Sequence, residues 1–130
     1  MTDRRVRPVN WVGSSYRDYV GFPGPVQDEM GFALFRAQVG ARHPMAKTMK
    51  GFGRATVVEL VGSHDGNAYR AVYTVKFAEA VYVLHAFQKK SKKGIATSKM
   101  DVELVRRRLA LAEQDYTERY IGPHVRTGRH

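Results

Sequence analysis

Lys89, Lys90, Lys92 and Lys93 stand directly after the apolar run of residues 81–88, with no acid between Val81 and Lys99 to neutralise them. Arg70 lies in an upstream β-branched run. Lys47, Lys50 and Arg54 lie in another acid-free stretch, residues 42–54, that also carries Arg42 and His43. These residue types fit phosphoryl chemistry on RNA. There the ribose 2′-hydroxyl attacks its own phosphate, so cations that stabilise the crowded phosphorane, with one group to move protons, are sufficient. The planar fork of Arg70 suits two phosphate oxygens at once, and a lysine or His85 can shuttle protons.

Each assignment has a plainer counterpart. Arg70 can simply pair with a surface carboxylate. His85, between Leu84 and Ala86, has the setting of a satisfied core histidine. Tyr73 and Phe87 fit a core as well as they fit base stacking, and the four lysines also fit a solvated loop. The common site patterns are missing. There is no phosphate-binding Gly-Lys loop and no Gly-x-Ser-x-Gly elbow, and 5 scattered His with no Cys give no zinc spacing.

Overall charge points toward a polyanion. Lys and Arg number 22 against 12 Asp and Glu, a net +10, and the pI is near 10.2. That balance favours RNA or DNA first, then an acidic protein or an anionic membrane surface. The lack of Cys excludes disulfides and thiolate chemistry and implies no oxidising compartment. Residues 1–8 are basic but lack the apolar core and cleavage site of a secretory signal, and no run approaches the roughly 18 apolar residues of a membrane span. A soluble, cytoplasmic protein is expected. With 130 residues and 43% hydrophobic side chains, the chain can bury one core, so a single domain over 1–120 is expected, followed by a disordered basic tail at 121–130.

The scaffold that positions these groups reads as follows. A short strand over 9–12 carries the only Trp, Trp11, and the turn Gly13-Ser14-Ser15 caps a brief helix over 16–20. After the break at Phe22-Pro23-Gly24-Pro25, Pro25 sits in the first turn of a second helix. Met30, Leu34 and Ala37 recur there at helical spacing, and Gly40 and Pro44 supply the stop. Residues 42–54 read as a basic connecting loop. Strands at 55–61, 68–77 and 81–88, joined by an Asp65-Gly66 hairpin turn and a tight link at 78–80, form an antiparallel meander. Alternation places Tyr69, Ala71, Tyr73, Val75 and Phe77 on one face of the middle strand and Arg70, Val72, Thr74 and Lys76 on the other. In the last strand it groups Val81, Val83, His85 and Phe87 against Tyr82, Leu84, Ala86 and Gln88. Thr97 or Ser98 caps a final helix, with Asp101 completing an imperfect capping box. Val102, Val105, Leu109, Ala112 and Tyr116 form its apolar stripe, and residues 106–108 a basic cluster on its outer arc. The expected class is α+β: a small twisted antiparallel sheet, the meander plus an N-terminal strand, packed with two N-terminal helices and a C-terminal helix.

Gly31-Phe32-Ala33-Leu34, then Ala46-Lys47 through Lys50-Gly51-Phe52-Gly53, then Tyr69-Arg70-Ala71-Val72-Tyr73, then residues 81–93 make a set that resembles the phage-derived, HigB-like branch of the RelE/ParE toxin superfamily. The likeness covers residues 10–113, and its Tyr-Arg-x-x-Tyr plus Leu-His-x-Phe-x-Lys-Lys combination is its specific part. It implies a RelE-like fold and a toxin neutralised by an antitoxin, often a helix-turn-helix protein of the HigA kind. It also implies cleavage of mRNA, commonly on the ribosome, with no metal or other cofactor and no membrane partner. By motif position, Lys50, Arg70, Lys89 and Lys90 bind and polarise the phosphate and His85 is a further catalytic candidate. Lys47, Arg54, Lys92, Lys93, Tyr73 and Phe87 are candidates for holding RNA. The chain departs from the RelE pattern in having no C-terminal catalytic tyrosine beyond Tyr116 and Tyr120, which leaves the general base open. Two alternatives remain: a ParE-type gyrase poison that cuts nothing, and a plain basic RNA-binding protein of prophage origin. Under the nuclease reading, Arg70→Ala abolishes activity with folding intact.

Overall fold

The computed structural model describes residues 5–89 and 96–122. Lys90, Lys92, Lys93 and most of the expected tail lie outside the described residues. The chain runs β1 (Val9–Trp11), α1 (Ser15–Val20), α2 (Gly24–Gln38), β2 (Ala46–Thr48), β3 (Val57–His64), β4 (Asn67–Thr74), β5 (Val81–Lys89) and α3 (Lys99–Tyr116). One five-stranded sheet of order β1-β5-β4-β3-β2 lies between α1 and α2 on one face and α3 on the other. The class is mixed α+β. Among the described residues, no helix is long and apolar enough to cross a membrane.

Each cover follows from spacing. Pro25 lies in the first turn of α2, where its missing N–H costs nothing. Val26, Met30, Ala33, Leu34 and Ala37 then fall on one stripe and are buried against Val58, Leu60, Tyr69, Ala71 and Tyr73. On the opposite face, Val105 and Ala112 of α3 seal Val57, Val72, Tyr82 and Leu84. Ser98 caps α3 through a hydrogen bond that its Oγ accepts from the Asp101 N–H at 3.1 Å. The Asp65-Gly66 turn has φ of 51° and 79°, the left-handed pair that a two-residue hairpin requires.

Three expectations need correction. Residues 42–54 are not all loop, because Ala46–Thr48 pairs antiparallel with β3 as an edge strand. Three residues are too few for a period of two to show in the sequence. The sheet is also not wholly antiparallel. β1 runs parallel to β5, with Val9 opposite Val81 and Trp11 opposite Val83. The intervening chain crosses over through α1, α2 and three strands before β5 returns in that direction.

The third correction concerns β5. Val72 pairs with His85 but Tyr73 pairs with Val83, so Leu84 is an extra residue, a β-bulge. The Leu84 carbonyl accepts a hydrogen bond from Arg108 Nη1 at 3.0 Å. Beyond the bulge the alternation reverses. His85 and Phe87 therefore join Tyr82 and Leu84 on the α3 face, while Ala86 faces α2. Phe77, past the end of β4 at Thr74, likewise packs on the α3 side rather than with Tyr73.

Candidate active site

Strand register sets the site. On the α3 face, Lys47, Glu59, Val72 and His85 form one row across four strands, and Val61, Arg70 and Phe87 form the next. One half of this face is the apolar bed of α3. The other half, beneath the start of α3, is polar. There Arg70, only 5% exposed, donates from Nη1 to Glu59 Oε2 at 3.1 Å and to Thr97 Oγ1 at 3.0 Å. Thr97 Oγ1 in turn donates to Glu59 Oε2. A guanidinium, a carboxylate and a hydroxyl thus meet at one point, on the floor of a cleft of about 360 Å³ whose walls include Lys47, Lys50, Ala96 and Val102. Lys89 closes the neighbouring row by donating to the Ala96 carbonyl at 2.7 Å.

A second polar contact lies one strand over. His85 Nε2 lies 2.9 Å from Asp101 Oδ1, while Asp101 Oδ2 accepts from Ser98 Oγ at 2.7 Å. Burial alone raises the Asp101 carboxyl. The hydrogen bonds from His85 and Ser98, together with the nearby positive charge, outweigh it and hold the carboxyl below its ordinary value. An ionised Asp101 can only accept, so Nε2 carries the proton in this contact. The imidazole stacks on Phe87 at 4.3 Å and 21°, and its Nδ1 is buried without a hydrogen-bond partner among the described residues.

The structure therefore brings Lys47, Lys50 and Arg70 into one cleft, with Lys89, His85 and Phe87 alongside. It separates others. Tyr73 is 1% exposed under α2, on the opposite face of β4 from Arg70, and belongs to the core rather than to an RNA surface. Arg54 is exposed on the 3₁₀ turn Gly53–Ala55 and does not line the cleft. Arg70 pairs with a carboxylate, but a buried one. The basic cluster on α3 is partly structural, since Arg108 also reaches Ser14 Oγ at 3.2 Å and Arg106 lies over the Phe52 ring at 4.5 Å. Tyr116 and Tyr120 sit at the far end of α3, where Tyr116 stacks on Phe77 at 4.5 Å and the Tyr120 hydroxyl accepts from Asn10 at 3.1 Å.

Sequence reasoning missed Glu59, Thr97 and the second role of Asp101. Glu59 did leave a signal, being the single acid within the apolar run of β3. A charged residue at an inward position implies a buried partner.

No curated protein and no solved structure matches the chain. A family model described as Phage derived protein Gp49-like (DUF891) matches residues 17–110, a span that includes Lys47, Lys50, Glu59, Arg70, His85, Thr97 and Asp101. That family lies within the RelE/HigB-like toxin–antitoxin superfamily, is generally associated with RNase activity, and implies an antitoxin partner. The chain belongs to the phage-derived Gp49-like family of toxin–antitoxin toxins.

Proposed function

We propose that this protein is a HigB-like toxin of a type II toxin–antitoxin pair and acts as an endoribonuclease on mRNA, on the ribosome, with a helix-turn-helix antitoxin of the HigA kind as its neutralising partner. The observation that carries this reading is the meeting of Arg70, Glu59 and Thr97 on the floor of a cleft rimmed by Lys47 and Lys50. In the resting fold the Thr97 hydroxyl lies between carboxylate and guanidinium, the position that a ribose 2′-hydroxyl takes in the reaction. Glu59 accepts the 2′-hydroxyl proton as the O2′–P bond forms. Arg70 and the rim lysines hold the non-bridging oxygens as negative charge builds on the phosphorane. The P–O5′ bond breaks, and the leaving oxygen takes a proton from a lysine or from His85. The protein's own cations supply the positive charge throughout. By motif position Lys90 joins Lys89 on the phosphate, and Arg54, Lys92 and Lys93 attract the flanking RNA.

The test is to incubate purified protein with a short RNA, free and on programmed ribosomes, and to identify the new ends. This chemistry leaves a 2′,3′-cyclic phosphate and a 5′-hydroxyl, and a substrate with a single 2′-deoxy nucleotide at the cut resists. Equal cutting of the deoxy substrate refutes the mechanism. Intact RNA with inhibited DNA supercoiling points instead to the gyrase-poison reading.

A further inference from the structure

A second cavity, of about 670 Å³, lies on the other side of β5 from the cleft. β1 accompanies β5 only as far as Trp11 opposite Val83. Beyond that point, among the described residues, no strand lies along this rim of the sheet. The end of α1 and the Phe22-Pro23 bend stand off from it, and the space between is lined by Arg17, Asp18, Phe22, Tyr69, Phe87 and Gln88. Aromatic rings are thereby combined with a guanidinium, a carboxylate and an amide.

Two observations point to the same class of ligand. Phe87 is half-buried, and its ring is already stacked against His85. Aromatic surfaces with in-plane donors and acceptors are what an unstacked nucleobase requires. His85 also borders this cavity and backs the Phe87 ring. Phe87 is the register partner of Arg70, so the cavity and the phosphate cleft flank adjacent strands, about two strand spacings or on the order of 10 Å apart. A single strand with its phosphate at Arg70 can place a neighbouring base there.

We infer that this cavity is the base-reading subsite of the enzyme, taking one nucleobase of the single-stranded RNA next to the cut. The inference rests on the endoribonuclease reading. Phe87 supplies the stacking surface. Asp18, which can only accept hydrogen bonds, favours a base edge that presents N–H groups over one of acceptors alone.

The test uses fluorescein-labelled 2′-O-methyl hexanucleotides, one homopolymer for each base, which bind but lack the attacking hydroxyl. Anisotropy gives the affinity for wild type, Phe87→Leu and Asp18→Asn, with circular dichroism verifying the fold. The wild type should rank the four homopolymers. Phe87→Leu should weaken them by about ten-fold, as loss of one base–aromatic stack does, and Asp18→Asn should reorder them. Equal affinities in the wild type, or variants that keep its affinities and ranking, overturn the subsite. Cleavage of ordinary RNA is scored separately. Cutting with an unchanged sequence preference in both variants removes the subsite and leaves the nuclease standing. Ranked binding that both variants disturb, without any cutting, removes the nuclease and leaves a base-binding site.

Discussion

Replacing Arg70 by alanine should unfold the protein more readily as well as inactivate it. Arg70 is 5% exposed and Glu59 is 9% exposed, and the 3.1 Å contact joins them with the Thr97 hydroxyl shared between. Without the guanidinium, the Glu59 carboxylate stays in place with its countercharge gone. Breaking a buried ion pair from one side costs about 3–5 kcal/mol, a large part of the roughly 5–15 kcal/mol that holds a domain together. The expected fall in melting temperature is about 10–20 °C. Urea unfolding followed by fluorescence of Trp11 gives the value directly, with an unchanged slope verifying that only stability moved. Replacing both partners, as in Arg70→Met with Glu59→Met, should restore most of the loss, because no uncompensated charge remains. An Arg70→Ala protein within about 1 kcal/mol of wild type would refute the buried pair, since a surface ion pair is worth no more than that. The sequence-based expectation of an intact fold in this variant is therefore revised. Arg70→Lys, which keeps a positive charge beside Glu59 but loses the planar fork, is the cleaner probe of function.

Other predictions address separate parts of the site. Lys47 and Lys50 are exposed, so Lys47→Gln with Lys50→Gln should leave thermal stability unchanged. If both lysines meet phosphates, the salt slope of single-stranded RNA binding should fall by about 1.4. Because the Asp101 carboxyl is held below its ordinary value, it stabilises the fold above that value, and the contribution is lost as pH falls through the depressed one. Asp101→Asn should thus lower the melting temperature most near neutral pH, and its gap to wild type should close in paired melts as the pH falls below the ordinary carboxylate value and through the depressed one. Burial lowers the Arg108 guanidinium, which nonetheless holds the bulge carbonyl of Leu84 and Ser14 Oγ. Arg108→Met should cost about 1–3 kcal/mol in urea unfolding, as expected for loss of a charged donor to buried acceptors.

Much of this fold was legible because the relevant signals are local. The Asp65-Gly66 turn, the Ser98 cap and the Val26, Met30 and Ala37 stripe each lie within a few residues of chain. What escaped depends on register. One inserted residue at Leu84 reverses every side chain after it, and nothing in a uniformly apolar strand marks where the insertion falls. His85 and Phe87 were therefore assigned to the wrong face, although the rows that join Lys47 to Glu59 and Arg70 to Phe87 define the candidate site. Thr97 was considered only as a cap. Its contact with Glu59 spans 38 residues, and no spacing rule reaches that far.

The central claim is tested most directly by inducing the protein in a bacterial host and mapping new 5′ ends on its transcripts, with Arg70→Lys as the folded control. Cleavage on the ribosome predicts cuts in phase with codons that fade in the control. Growth arrest with transcripts intact would contradict it.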